Sequence, residues 1–166
     1  MTSTRTTARL AVAAATALAA ARPSAYTFVG PTSQFPCQLN SENVFCGTVN
    51  VFMAKSMKRV NRLLLGFEAT CQAPDKYFAT NLTVTGLPAK RSAYGSTWVD
   101  DTRFDAALDG DLTARVHVTT KGRVQTGKAG KGTFAIDIDI VDGAGQTVDT
   151  CRTGRQSFVL KAMKRK

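Results

Sequence analysis

Hydrophobic and polar residues alternate along much of the chain. In GTFAIDIDIV, Phe134, Ile136, Ile138 and Ile140 fall on one side, and Ala135, Asp137 and Asp139 on the other. A period of two, rich in β-branched residues, predicts a strand with one buried face. DGAG follows, with Gly143 and Gly145 suited to a hairpin connection. The next strand leads into Cys151, Thr153-Gly154 marks another turn, and RQSFVLKAM closes the chain as a strand with Phe158 and Leu160 together.

The same pattern recurs upstream. LLLGFEATC places Leu63, Leu65, Phe67, Ala69 and Cys71 on one face, and YFATNLTVTGL groups Phe78, Leu82 and Val84. DLTARVHVTT turns Leu112, Ala114, Val116 and Val118 inward and Arg115 and His117 outward. NVFCGTVNVFM is strand-like on both faces, and RFDAAL is a weaker strand. KSMKRVNRLLL reads as a basic loop entering a strand, and KRSAYGSTWVD as a loop carrying Tyr94 and Trp98. Short strands separated by Gly-rich turns predict an all-β fold: a single antiparallel β-sandwich, immunoglobulin-like or related.

The N-terminus departs from this pattern. Arg5 and Arg9 precede a small-apolar run over residues 10–21, and small residues recur at Ala17, Ala19, Ala21 and Ala25. This is the three-part form of a secretory signal, with an organelle transit peptide as its rival. Residues 1–25 are therefore expected to be a signal peptide and residues 26–166 one β-sandwich domain. The run is too short to span a bilayer, and no later segment approaches that length, so no transmembrane segment is expected after cleavage. Losing Arg5, Arg9 and Arg22 takes the formal charge from +10 to +7.

Four cysteines, Cys37, Cys46, Cys71 and Cys151, follow the signal segment. An even count in an exported domain suggests disulfides, and four cysteines allow three pairings that spacing alone does not decide. Cys37 and Cys46 flank the polar QLNSENVF and would close a short loop, leaving Cys71 to Cys151. Both of the latter end apolar-faced strands and can point inward, so that pairing is the expected one. The spacing does not suit a zinc site, and no C-x-x-C redox pair is present. No metal or cofactor is expected.

Phe45, Gly47 and Thr48 form F-x-G-T. A strand ending in Cys71 follows, then C-x-T-G-x3-F over Cys151, Thr153, Gly154 and Phe158, and a basic tail. This order resembles a loose group of secreted actinobacterial β-sandwich proteins. The resemblance spans about residues 44–163 and implies the sandwich fold and the Cys71–Cys151 bridge. The pair Cys37 and Cys46 departs from the group's pattern. The group brings no activity with it.

The candidate chemistry is sparse. His117, the only histidine, sits on a polar strand face, and no G-x-S-x-G elbow accompanies it, so it reads as a solvated side chain. Asp100, Asp101, Asp105, Asp109 and Asp111 cluster, yet their spacing is not that of a calcium loop; turn formation explains them best, with calcium as the minority reading. Asn81-Leu82-Thr83 is a glycosylation sequon lying in a strand.

A basic balance favours anionic partners. The cations fall in three runs: Lys55, Lys58, Arg59, Arg62; Lys121, Arg123, Lys128, Lys131; and Lys161, Lys164, Arg165, Lys166. Sequence does not show whether they converge. Neither a recognition helix nor an RNP motif is present, which argues against sequence-specific nucleic-acid readout. Tyr77, Tyr94 and Trp98 are the aromatics suited to stacking on sugars, but Trp98 reads better as the start of a strand capping the core.

The expected function is that of an exported, non-enzymatic binding or envelope-associated module, extracellular or in the cell envelope. Its partner would be an anionic surface, cell-wall polymer or glycan. Trp98, Tyr94, Lys58, Arg59 and Arg62 are the candidate ligand contacts. A structural or protein-interaction domain with an incidental basic surface is the alternative. An extracellular hydrolase using the aspartates ranks last.

Overall fold

The computed structural model describes residues 26–37, 46–73 and 77–163; the expected signal segment lies outside them. The strands are β1 (Tyr26–Pro31), β2 (Thr48–Met53), β3 (Arg59–Cys71), β4 (Tyr77–Pro88) and β5 (Lys90–Ser92). They continue as β6 (Gly95–Ala107), β7 (Thr113–Val124), β8 (Ala129–Val141), β9 (Thr147–Arg152) and β10 (Gln156–Ala162). All pairings are antiparallel.

The expected antiparallel all-β fold with two disulfides is present, with one difference. Its layers belong to a single continuous sheet, ordered β10-β1-β2-β3-β9-β8-β7-β6-β5, with β4 on the other edge of β3. β10 pairs with both β1 and β8, so the path β1–β2–β3–β9–β8–β10 closes on itself. That closure distinguishes it from the two separate sheets of an immunoglobulin domain.

The closure depends on β8, which is long enough to serve two partners. Residues 129–134 pair with β10 and residues 137–141 with β9. Between them Ile136 would lack a ladder partner. Thr153, at the corner from β9 to β10, supplies one: its N–H donates to the Ile136 carbonyl at 3.0 Å. Its Oγ1 accepts from the Ile136 N–H at 2.9 Å. Gly154 then takes a left-handed φ of 61°, which glycine adopts without steric cost. Two residues of C-x-T-G-x3-F thus make the strand switch, and Phe158 goes to the core.

The alternation read from sequence holds. Leu63, Leu65, Phe67 and Ala69 of β3, Leu82 and Val84 of β4, Ala114, Val116 and Val118 of β7, and Phe134, Ile136 and Ile138 of β8 enter one core cluster. Leu112 and Ile140 are only half-buried. The basic loop expected before LLLGF is shorter than predicted: β3 already begins at Arg59 and buries Val60. KRSAYGSTWVD is a hairpin, not a loop, with β5 and β6 paired through Lys90–Thr97 and Ser92–Gly95. RFDAAL is the second half of β6. Alternation fails there because Asp100 and Thr102 occupy the half-buried, inward-facing positions.

Trp98 is 2% exposed and stacks on Phe158, ring centroids 6.5 Å apart. Two glycines make the room. A Cβ at Gly122 would overlap the Trp98 ring, and one at Gly132 would overlap the Phe158 ring and the Lys121 carbonyl. The indole N–H is directed at Thr120 Oγ1, 3.4 Å away. Indole and phenyl rings thus link β6 and β10 across the interior.

The two disulfides are Cys37–Cys46 and Cys71–Cys151. Cys71 faces Cys151 directly in register on β3 and β9. The segment carrying Cys37 lies over the outer side of β3: the Gln34 side chain donates to the Glu68 carbonyl at 2.6 Å and accepts from its N–H at 3.2 Å. That cover explains why Gly66 and Glu68 are buried although they alternate with core residues. No helix among the described residues is long and apolar enough to cross a membrane.

Candidate functional site

The strand register sorts the charges along the molecule. Turns 54–58, 93–94 and 125–128 share one end with the start of β1 and the finish of β10. Arg91 reaches the Ser56 carbonyl at 3.5 Å, the Ala89 N–H donates to Lys58, and the Ala162 N–H donates to Lys128. Around this end lie Lys55, Lys58, Arg59 and Arg62 from β2–β3, Lys90 and Arg91 from β5, and Lys121, Arg123, Lys128 and Lys131 from β7–β8. Lys161 of β10 joins them, and all are exposed. The cation runs separated in sequence therefore converge, through Lys161 in the case of the third. Lys164, Arg165 and Lys166 lie outside the described residues.

The most regular part is a row across the outer face of the sheet. Lys90 pairs with Thr97, Thr97 with Arg123, Arg123 with Lys131, and Lys131 with Val159. Directly paired residues point the same way, and adjacent strands lie about 4.8 Å apart, so neighbouring cations of the row stand roughly 5–10 Å apart and Lys90 lies about 14 Å from Lys131. The adjoining row carries Val99, Lys121, Thr133 and Ser157. An anionic chain lying across the strands would meet cations from several of them.

The carboxylates of the described residues occupy the other half. None on β6 lies closer to the cation-rich end than Asp100; Asp137, Asp139 and Asp149 are on the distal parts of β8 and β9, Asp142 is in the turn between them, and Glu68 is on distal β3. The ion pairs join this half: Arg152 meets Asp137 at 2.9 Å and Asp139 at 3.9 Å, and Arg103 meets Asp101 at 3.9 Å. His117 Nε2 lies 2.8 Å from Asp101 and 3.2 Å from Arg103, on the polar face where sequence placed it. These pairs are exposed and contribute little stability. They engage only Asp101, Asp137 and Asp139, and with Arg103, Arg115, Arg152 and Arg155 as its described arginines this half stays net acidic while the other stays cationic.

The candidate contacts fare differently. Trp98 must be corrected: it is a core residue and offers no ring face to a ligand, because the space over Gly122 is where the indole fits. Tyr94 is 84% exposed in turn 93–94. It lines a shallow cleft of about 240 Å³ with Ala93, Gln125, Thr126 and Lys128. Lys58, Arg59 and Arg62 are exposed at the cation-rich end; the Arg62 guanidinium sits 4.2 Å over the Phe52 ring, and Arg59 Nε donates to Asn61 at 3.2 Å. The side chain of Tyr77 is outside the described residues. Sequence reasoning misses Lys90 and Arg91, whose place becomes apparent only once β5 pairs with β6.

The aspartates of the acidic stretch do not converge. Asp100 and Asp101 point to opposite faces of β6, and Asp101 and Asp105 stand about 13 Å apart along it. Thr102 donates to Asp100 at 2.5 Å. Asp111 takes a left-handed φ of 58° in the β6–β7 turn, beside Gly110 at 74°. Turn formation accounts for the two residues nearest that bend. Acids and cysteines also approach one another at Cys37, Cys46 and Glu68, and at Cys71, Asp149 and Cys151, where the sulfurs are already joined as disulfides. Asp149 Oδ1 accepts the Ala73 and Thr150 N–H groups.

No family model matches the chain, and no curated protein or solved structure matches it.

Proposed function

We propose that the chain is an exported, non-enzymatic module that binds an anionic surface or polymer through its cation-rich end. The observation that carries this reading is the convergence of Lys90, Arg123 and Lys131 in one cross-strand row, with the described carboxylates confined to the opposite half. Cations drawn from separate stretches of sequence meet without carboxylates between them. Such a surface concentrates anions and orients the molecule as it approaches them. Two disulfides accord with an oxidising compartment.

A glycan reading built on paired aromatics loses support, since only Tyr94 of the pair is exposed. The salt dependence of binding tests the proposal. Affinity for soluble polyphosphate is expected to fall at least ten-fold between about 50 mM and about 500 mM salt, because exposed charges are screened beyond ~4 Å at the higher value. Binding indifferent to salt would point instead to an apolar protein interface.

A further inference from the structure

The cation-rich end also carries apolar side chains in the open. Tyr94 is 84% exposed, Val99 79%, Val159 61% and Met163 60%, and all four belong to this end. They sit among the cations. Val99 faces Lys121 and Val159 faces Lys131 in register. Tyr94 shares its cleft with Lys128, whose carbonyl accepts the Ala162 N–H just before Met163. Tyr94 and Met163 therefore crown the tip with Lys128 between them.

A polyanion free in water asks only for cations, and exposed apolar groups add nothing to its binding. An anionic bilayer interface uses both: phosphates attract the cations, and the headgroup–acyl boundary accepts a tyrosine ring and a methionine chain. We propose that this end docks on an anionic phospholipid bilayer, Tyr94 and Met163 entering the headgroup region while Lys121, Arg123, Lys128 and Lys131 meet phosphates. The proposal rests on the anion-binding reading above and narrows it to one partner. Charge segregation sets the orientation, since turning the molecule over would bring Asp137, Asp139 and Asp142 toward the lipid phosphates.

The test is co-sedimentation of the purified protein with phosphatidylcholine vesicles and with vesicles containing phosphatidylglycerol, beside titration with soluble polyphosphate. Partition onto the phosphatidylglycerol vesicles alone is expected. Tyr94→Ser with Met163→Ser removes only exposed side chains, so the fold should survive. This variant is expected to keep its polyphosphate affinity within about two-fold and to lose about ten-fold or more in vesicle partition. Lys121→Glu with Arg123→Glu and Lys131→Glu is expected to lose both ligands. If the Tyr94/Met163 variant partitions like wild type, or loses both ligands equally, the bilayer assignment is overturned. It is also overturned if wild type binds polyphosphate but no vesicle, and the anion-binding reading then stands. If wild type binds neither, both readings fall.

Discussion

Replacing Cys71 and Cys151 together by alanine is expected to lower the unfolding free energy by about 4–5 kcal/mol. The bridge spans 80 positions. In the chain-entropy model a loop of that length removes about this much freedom from the unfolded chain. Its position adds to its importance. β9 is the short strand joining β3 to β8, and it meets β3 only through Thr70–Arg152 and Cys71–Cys151. The covalent bond thus reinforces one of the two shortest ladders in the closed circuit, the other being β1–β10. Domains of this size are stable by roughly 5–15 kcal/mol, so the loss is a large share of the whole. In a thermal scan it should appear as a fall of about 10–20 °C in Tm. The Cys37–Cys46 bridge closes a loop of 9 positions, and its removal is expected to cost only about 2–3 kcal/mol. An equal loss from both would mean that the long bridge does not act by constraining the unfolded chain. Peptide mapping of the unreduced protein checks the pairing itself.

Trp98→Ala is expected to cost about 3–5 kcal/mol, the usual range for emptying a fully buried aromatic site. The indole fills the space over Gly122 and stacks on Phe158, so its loss leaves a void that two strands cannot collapse to fill. Trp98→Phe should cost less, about 1–3 kcal/mol, because part of the ring volume and the stack remain. Denaturant unfolding measures both. The same variants separate a core role from a surface role: at a temperature where each is folded, polyphosphate affinity should match wild type. A variant that keeps its stability but loses binding would restore Trp98 to the surface.

The fold is legible in the chain because the interior obeys a period of two. Alternation alone assigns Phe134, Ile136 and Ile138 to a core face, and all three lie in the core cluster. The disulfide between strand ends follows from the same alternation. β5 and the start of β6 are harder to read, since Lys90, Arg91 and Ser92 are all exposed and the inward positions Asp100 and Thr102 are polar. Closure is also hidden. It depends on Thr153 completing the β8 ladder at Ile136, a long-range hydrogen bond that no local pattern announces. The basic runs are visible as charge, but their convergence is not. Lys58, Lys90 and Lys128 are far apart in sequence and share one end only through the order of the strands. Trp98 stands out in sequence as a rare aromatic in a polar stretch. Its burial is explained by Gly122 and Gly132, whose missing side chains carry no signal until the strands are paired.

The central claim is that location of charge, rather than net charge, makes the binding surface. Two triple variants isolate it. Lys121→Glu, Arg123→Glu and Lys131→Glu reverse the cation-rich end. Arg103→Glu, Arg115→Glu and Arg155→Glu reverse exposed residues of the opposite half and change the net charge equally. Titrated with polyphosphate at low salt, the first is expected to lose binding by about a hundred-fold or more, at about five-fold or more per charge removed. The second should stay within a few-fold of wild type. Equal losses from the two variants would contradict the account.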